Sequence, residues 1–570
     1  MIWLLAALLV LLPETEGVRK VQAHLLLEDS GAALQQAELL VQQFPDSIEA
    51  GIQLVQALAV GGFEERALAT WNRLTLKDPG LMNRREVLEE LAWGVLKKGT
   101  ESTQQGIRLS ALIGSYLTND VRAVPVLRRM MRDSNAIIRS VAIQMAPSYR
   151  DAALKDEIER LMVEEKIWMV RLEVIKAVGA LKIRSLTPAL KQLVQSEKTT
   201  YEERHFAIGS LLEMYETISP EEFLTLAKSN RAGLRHLACS IVAHLQVTWA
   251  KEAILNLVQD SHRDVRVAAL NTFALCYRHK TPVSEAKDIL RLRLEDSDPI
   301  VAITAAWVAF LMEPSWGEPF LAKWLGDSLP ENRRLAAAAL AAAGPKGVTL
   351  SEKTLQESAD PYVRANVALG LLGHRSNVTA SADFLYEFLQ TEKRMWMWDS
   401  RLNPLFQTLA PSQIRHVDQI PNYPEAIDQM TRLQLVSMLA LVDDPRAVPA
   451  LKTFLQRKGW GLTGVAAATL LQEGDESALE GVRELLSDSD ANVRLQACLV
   501  LAFYGRDETV LRELQGAYAG AEHEKKLHIL EALGRIGHPD SFSFLVSILN
   551  EPFPILRVAA AAALIQSLSR

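Results

Sequence analysis

Cysteine is scarce in this chain, with three residues in 570. Cys239, Cys276 and Cys498 each sit in an apolar run (LACSIV, FALCYR and QACLVL), and no CxxC spacing occurs. That pattern argues against a disulfide framework or a zinc site and reads as three small core residues. Aromatic residues make up only 6% and alternating Val/Ile/Thr runs are few, while Leu and Ala dominate. Helices are therefore favoured over sheets. Charge of one sign never gathers: 62 basic and 69 acidic residues alternate in mixed order for a net charge of -7. A duplex nucleic-acid partner, which calls for a basic face, is not expected. Long hydrophobic runs are missing too. The apolar run over residues 2–12 is too short to cross a bilayer. Its length suits the core of an export signal, yet no Lys or Arg precedes it and no A-x-A site follows. Residues 1–17 read either as an export signal or as a hydrophobic helix that caps or docks. This tilts the expected location toward export or membrane association rather than the cytoplasm.

Catalytic signatures are also lacking. The 11 histidines are scattered without HxH or HExxH spacing, and no GxGxxG, P-loop or G-x-S-x-G run occurs. No catalytic residue, metal ligand or cofactor is expected from these patterns.

What the chain has instead is a repeat. RDSNAIIRSVAIQMA carries Asp133 and Arg139, and QDSHRDVRVAALNTFA carries Asp260 and Arg266. ESADPYVRANVALGLLG carries Asp360 and Arg364, and SDSDANVRLQACLVLAFYG carries Asp488 and Arg494. Each has an Asp, a short polar gap, an aliphatic residue, an Arg and an Ala-rich apolar run. The register runs from Arg108 through Arg139, Arg171, Arg204, Arg235 and Arg266 to Ala302, Arg334, Arg364, Arg401, Arg432, Thr463, Arg494, Lys526 and Arg557. A period of about 32 residues is the length of one helical hairpin. The first helix of a unit often opens with proline, as at Pro125, Pro188 and Pro449, where a missing N–H does no harm. The Asp before the second helix is placed to cap it. Gly373 and Gly537 are placed to close their units in a left-handed C-cap.

These units resemble HEAT repeats, and among them the short bacterial type also found in phycobilisome lyase-like proteins. The resemblance runs from about residue 106 onward. It implies an all-α fold, an α-solenoid of stacked antiparallel helix pairs, and a family made up mostly of adaptors and scaffolds. The N-terminal segments AALQQAELLVQQFPDS and RALATWNRLTLKDPG, with Pro45 and Pro79 spaced 34 apart, resemble degenerate tetratricopeptide repeats. The expected organisation is a hydrophobic segment over 1–17, tetratricopeptide-like hairpins over 18–82 and an adaptor helix within 83–105. A HEAT-like array over 106–374 follows, then an irregular aromatic and proline-rich repeat or insert over 375–431, and a second HEAT-like array over 432–570.

The function this implies is a non-enzymatic scaffold or adaptor that holds an extended peptide or helix of a partner protein along its concave face, with no small-molecule substrate. A lyase- or oxygenase-type enzyme on a HEAT scaffold is one alternative, and an exported envelope assembly factor is another. Deoxyhypusine hydroxylase-like chemistry needs paired His-Glu steps, and only His523–Glu524 is present. The candidate binding residues are Trp396, Trp398, Arg394 and Tyr423, because aromatics and Arg mark binding hot spots. The competing reading of 375–431 is a repeat junction whose aromatics fill the core. Asp133, Arg139, Asp260, Arg266, Asp360, Arg364, Asp488 and Arg494 are expected to be a structural ladder, with Asp capping a helix and Arg bridging repeats.

Overall fold

The computed structural model describes residues 2–196, 198–400, 402–412, 423–447, 449–450, 482–505 and 507–569. The chain is an all-α solenoid of helix pairs. Among the described residues the only strands are β1 (Trp396–Asp399) and β2 (Thr408–Pro411), paired antiparallel with Trp396 opposite Pro411. Short amphipathic first helices such as Ala123–Met130 alternate with longer second helices such as Pro299–Met312. The second helices are sheathed by their neighbours: in Pro299–Met312, every residue from Val301 to Leu311 is buried. A helix apolar all round needs this setting.

Packing divides the chain into two units. Unit 1 comprises Met1–Ala177 together with Leu486–Arg570, and unit 2 comprises Val178–Leu485. Unit 1 opens with two hairpins, Ile2–Leu26 with Ser30–Gln43 and Ile48–Val60 with Glu64–Lys77. Val21, Ala33, Ala37, Leu40, Ala50 and Ala57 form one core between them. The first helix runs through residue 17 without a break. Among the described residues no helix is long and apolar enough to cross a membrane. The helix Arg85–Thr100 follows the hairpins and packs on Gln105–Leu117. Both also receive the distant helix Pro554–Leu568. A Cβ on Gly99 would stand 2.9 Å from Val558, and Gln566 Nε2 donates to the Leu117 carbonyl at 2.9 Å.

The repeat turns differ in detail from the pattern expected of them. Asp360 caps its second helix by accepting the Tyr362 and Val363 N–H groups. Asp133 and Asp260 instead lie two residues before the cap position and close the turn, accepting the N–H of Asn135 and of His262. Asp488 does the same with Asp490. In the repeat of Pro330–Ala341, Arg333 rather than Arg334 donates back to the turn carbonyls of Asp327 and Ser328, as Arg108, Arg139, Arg266 and Arg494 do in theirs. Gly537 closes its helix with φ +71°, as expected. Gly373 remains helical, and the left-handed positions after it are Arg375 and Asn377.

Candidate binding face of the second helices

Where it forms, the ladder joins one repeat to the next. Arg108 pairs with Asp133 at 2.7 Å and Arg139 with Glu165 at 2.9 Å in unit 1. In unit 2, Arg235 pairs with Asp260 at 2.6 Å, Arg266 with Asp296 at 3.0 Å, and Arg334 with Asp360 at 3.1 Å. Each arginine also donates to carbonyls of its own turn or, for Arg334, lies beside Arg333, which does. Burial alone would push the Asp260 carboxyl up, but the hydrogen bond from Arg235 and the His262 N–H overcome it and hold the group below its ordinary range. Asp133 and Glu165 are held low in the same way by Arg108 and Arg139. Arg364 departs from the ladder. It donates to the Leu355 carbonyl and lies 4.1 Å from the Phe384 ring.

The irregular region is one repeat with an insertion between its helices, Val378–Thr391 and Tyr423–Leu441. Arg401, taken as a repeat position, lies outside the described residues, and the residues on either side of it belong to the β1–β2 hairpin rather than a helix. Trp396 is fully buried, stacked 4.5 Å from Phe388 with the Arg432 guanidinium 4.0 Å from its ring. Its backbone N–H donates to Asp428. Trp398 is half-buried and donates to Gln434. Arg394 pairs with Glu392 at 2.9 Å and lies over Tyr362. Tyr423 opens the helix Tyr423–Leu441, and its side chain lies outside the described residues. The structure thus brings Trp396, Arg394 and Arg432 into one aromatic–cation cluster with Tyr362 and Phe388.

The insertion lies across the second helices of unit 2. Asn366 donates to the Leu409 carbonyl and accepts its N–H, both at 2.9 Å, so one side chain replaces a neighbouring strand. Buried Asn403 donates to Asn271 and to Thr304, and Phe406 meets Trp307 edge-on. These anchors were not singled out from the sequence. The available signal was an asparagine inside an otherwise apolar second helix, at Asn271 and Asn366.

Beside the insertion is a cavity of about 480 Å³, walled by the helices Tyr201–Met214, Ala232–Leu245 and Arg263–Cys276 and by Ser400, Leu402, Pro404 and Leu405. Arg204, His205, His236, His262, Arg263 and Asp264 make its polar end. The Nδ1 of His236 is sealed from solvent without a hydrogen-bond partner. Burial depresses His236 below its ordinary value, with His205 and His262 adding to the effect and Asp264 opposing it. Among the described residues no group of three or more His, Cys, Asp or Glu is placed to hold a metal ion. Cys239 and Cys498 are buried, and burial pushes both thiols up, as it does at half-buried Cys276.

In unit 1 the same face of the second helices carries exposed apolar side chains beside exposed polar ones such as Gln144 and Lys176. Ile137 and Met169 stand two residues before Arg139 and Arg171, the place of Asp264 before Arg266. Ile113 stands five after Arg108, the place of Ser240 after Arg235. These three side chains are 37%, 42% and 36% exposed for Ile113, Ile137 and Met169.

Two overlapping segments, residues 425–502 and 481–565, match the family of HEAT repeats. The C-terminal helix pairs are HEAT repeats. No curated protein matches the sequence. Among solved structures, the chain is similar to the karyopherin Kap121p bound to the SUMO protease Ulp1p, at 13% identity and a TM-score of 0.30 over 90% of this chain and 65% of that one. It thus spans less than two thirds of Kap121p's length. The Kap95:Nup1 complex gives 14% identity and a TM-score of 0.32 over 96% and 81%. The myosin chaperone UNC-45 from C. elegans, in complex with an Hsp90 peptide, gives 13% and 0.34 over 98% and 81%. Likeness at these scores carries no functional weight.

Proposed function

We propose that this protein is a non-enzymatic scaffold that holds an extended peptide or a helix of a partner protein on the open face of its second helices. The observation that supports this best is the set of exposed apolar side chains Ile113, Ile137 and Met169 on successive repeats of unit 1. Packed helices lie about 8–10 Å apart, so three such positions span roughly 20 Å, the reach of an amphipathic helix of about 13 residues. Apolar groups on successive repeats of one water-facing surface mark a place where another surface is buried.

A photo-crosslinking residue at Ile137 tests the reading, with one at Arg128 on the opposite, first-helix side as the comparison. The captured protein is then purified, and its binding is measured to wild type and to an Ile137→Glu/Met169→Glu variant whose fold is checked by circular dichroism. Capture from Ile137 alone, lost in the folded variant, is the expected result. Capture from Arg128 alone, or binding unaffected by the two glutamates, overturns it.

A further inference from the structure

In unit 2 the turn that should supply an acid to Arg204 has none. Twenty-five residues after Arg108 and after Arg235 stand Asp133 and Asp260, and each pairs with its arginine. Twenty-five residues after Arg204 stands Ser229. Its turn is built like the others: Ser229 Oγ accepts the Arg231 N–H as Asp260 accepts that of His262, and the Ser229 carbonyl accepts from Arg235 as the Asp260 carbonyl accepts from Arg266. Only the carboxylate is missing. Arg204 donates through Nη2 to the carbonyls of Ser196 and Thr199, and its Nε is buried without a partner. Arg204 is half-buried, and among the described residues no carboxylate pairs with it, so its sealed Nε favours an anion that reaches it.

Arg204 stands in the wall of the cavity described above, together with His236 and its unpartnered Nδ1. The first turns of Ala232–Leu245 and Arg263–Cys276 reach the same cavity, and neither has a side-chain N-cap, so their N–H groups add to the attraction. Asp264, the carboxylate in this wall, is already held by Arg263 at 3.1 Å. A volume near 480 Å³, bounded on one side by Ser400, Leu402, Pro404 and Leu405, suits a metabolite-sized molecule better than a chain.

We propose that this cavity binds a small organic anion, whose carboxylate or phosphate takes the place of the missing ladder acid against Arg204, with His236 and the two helix N-termini completing the site. The site does not depend on the partner-binding face of unit 1. The substitution Ser229→Asp restores the internal rung and so competes with the ligand while strengthening the fold.

The test is calorimetric titration of citrate and of inorganic phosphate into the full chain, as wild type, Arg204→Gln, Ser229→Asp and the exposed-site control Arg66→Gln. One equivalent of citrate or phosphate binding to wild type and to the control is the expected result. Loss of the charge-assisted pair should weaken binding by about tenfold or more in Arg204→Gln and in Ser229→Asp, with the melting temperature of Ser229→Asp raised. The proposal is overturned if neither anion binds wild type, if stabilised Ser229→Asp binds as well as wild type, or if a hexaglutamate peptide binds where both small anions do not.

Discussion

At the residue scale, an ion pair matters according to what its loss leaves behind. The Arg235 and Asp260 side chains are 14% and 7% exposed, whereas Arg66 and Glu38, 2.8 Å apart, are 56% and 42% exposed. Removing one partner of a buried pair strands the other charge, so Asp260→Asn should lower the unfolding free energy by about 3 kcal/mol. Glu38→Gln should cost less than about 0.5 kcal/mol. Urea denaturation of the two variants decides it, and equal losses would refute the ladder's structural role. Acidity acts on two kinds of group in two windows. His236 titrates below its ordinary 6.5 in the fold, so the unfolded chain binds the extra proton and stability declines as pH falls below 6.5. The ladder acids, Asp260 among them, titrate below 3.8 for Asp and 4.5 for Glu, so their share is lost only as pH falls through that lower range. Melting curves from pH 8 to 3 should therefore show an early decline, shared with half-buried His528, that His236→Phe lessens, and a late decline that it keeps. A single decline, unchanged in the variant, would sink this assignment. The ladder arginines were legible from their period, but their partners were not. An acid two residues before the cap looks like a cap in sequence, and only the packing of the preceding repeat shows which arginine reaches it.

At the element scale, the helix pairs were legible because apolar periodicity, N-terminal proline and turn acids all act within one hairpin. The insertion was not. Four-residue strands carry too little pattern to announce themselves, and a long step from Arg364 to Arg401 carried the count across a hairpin. The two tryptophans of β1 also read alike in sequence, yet strand alternation sends them to opposite sides. Trp396 faces Phe388 and Arg432 in the core, while Trp398 meets Gln434 near the surface. Trp396→Ala should therefore destabilise unit 2 by about 3–5 kcal/mol, the cost of a buried aromatic cavity. Trp398→Ala should cost about 1 kcal/mol, the value of one hydrogen bond. Thermal melts of the single variants test this, and comparable losses would mean that the strand is not fixed in this register.

At the scale of the whole molecule, a repeat sequence hides which repeats meet. Every second helix is written in the same Ala, Leu and Val alphabet, so the surface that receives a neighbour from far along the chain looks like one that receives the next repeat. In unit 1 that surface belongs to Arg85–Thr100 and Gln105–Leu117, and its neighbour is Pro554–Leu568. The fit depends on small residues on both sides: a Cβ on Gly99 would meet Val558 at 2.9 Å, and one on Gly114 would meet Ala562 at 3.1 Å. Contacts of this kind couple the stabilities of segments 449 residues apart, as Leu117 and Gln566 are. Val558 is 2% exposed, so Val558→Asp buries an unpaired carboxylate in the joint and should cost about 3 kcal/mol or more. Native-state hydrogen exchange locates that cost. If the joint is as described, protection falls in residues 85–117 as well as in 554–568, while Ala232–Leu245 in unit 2 keeps its protection. Loss confined to 554–568 would mean that the N-terminal helices stand without their distant neighbour, and unit 1 would then have to be divided at the point where the sequence itself is interrupted.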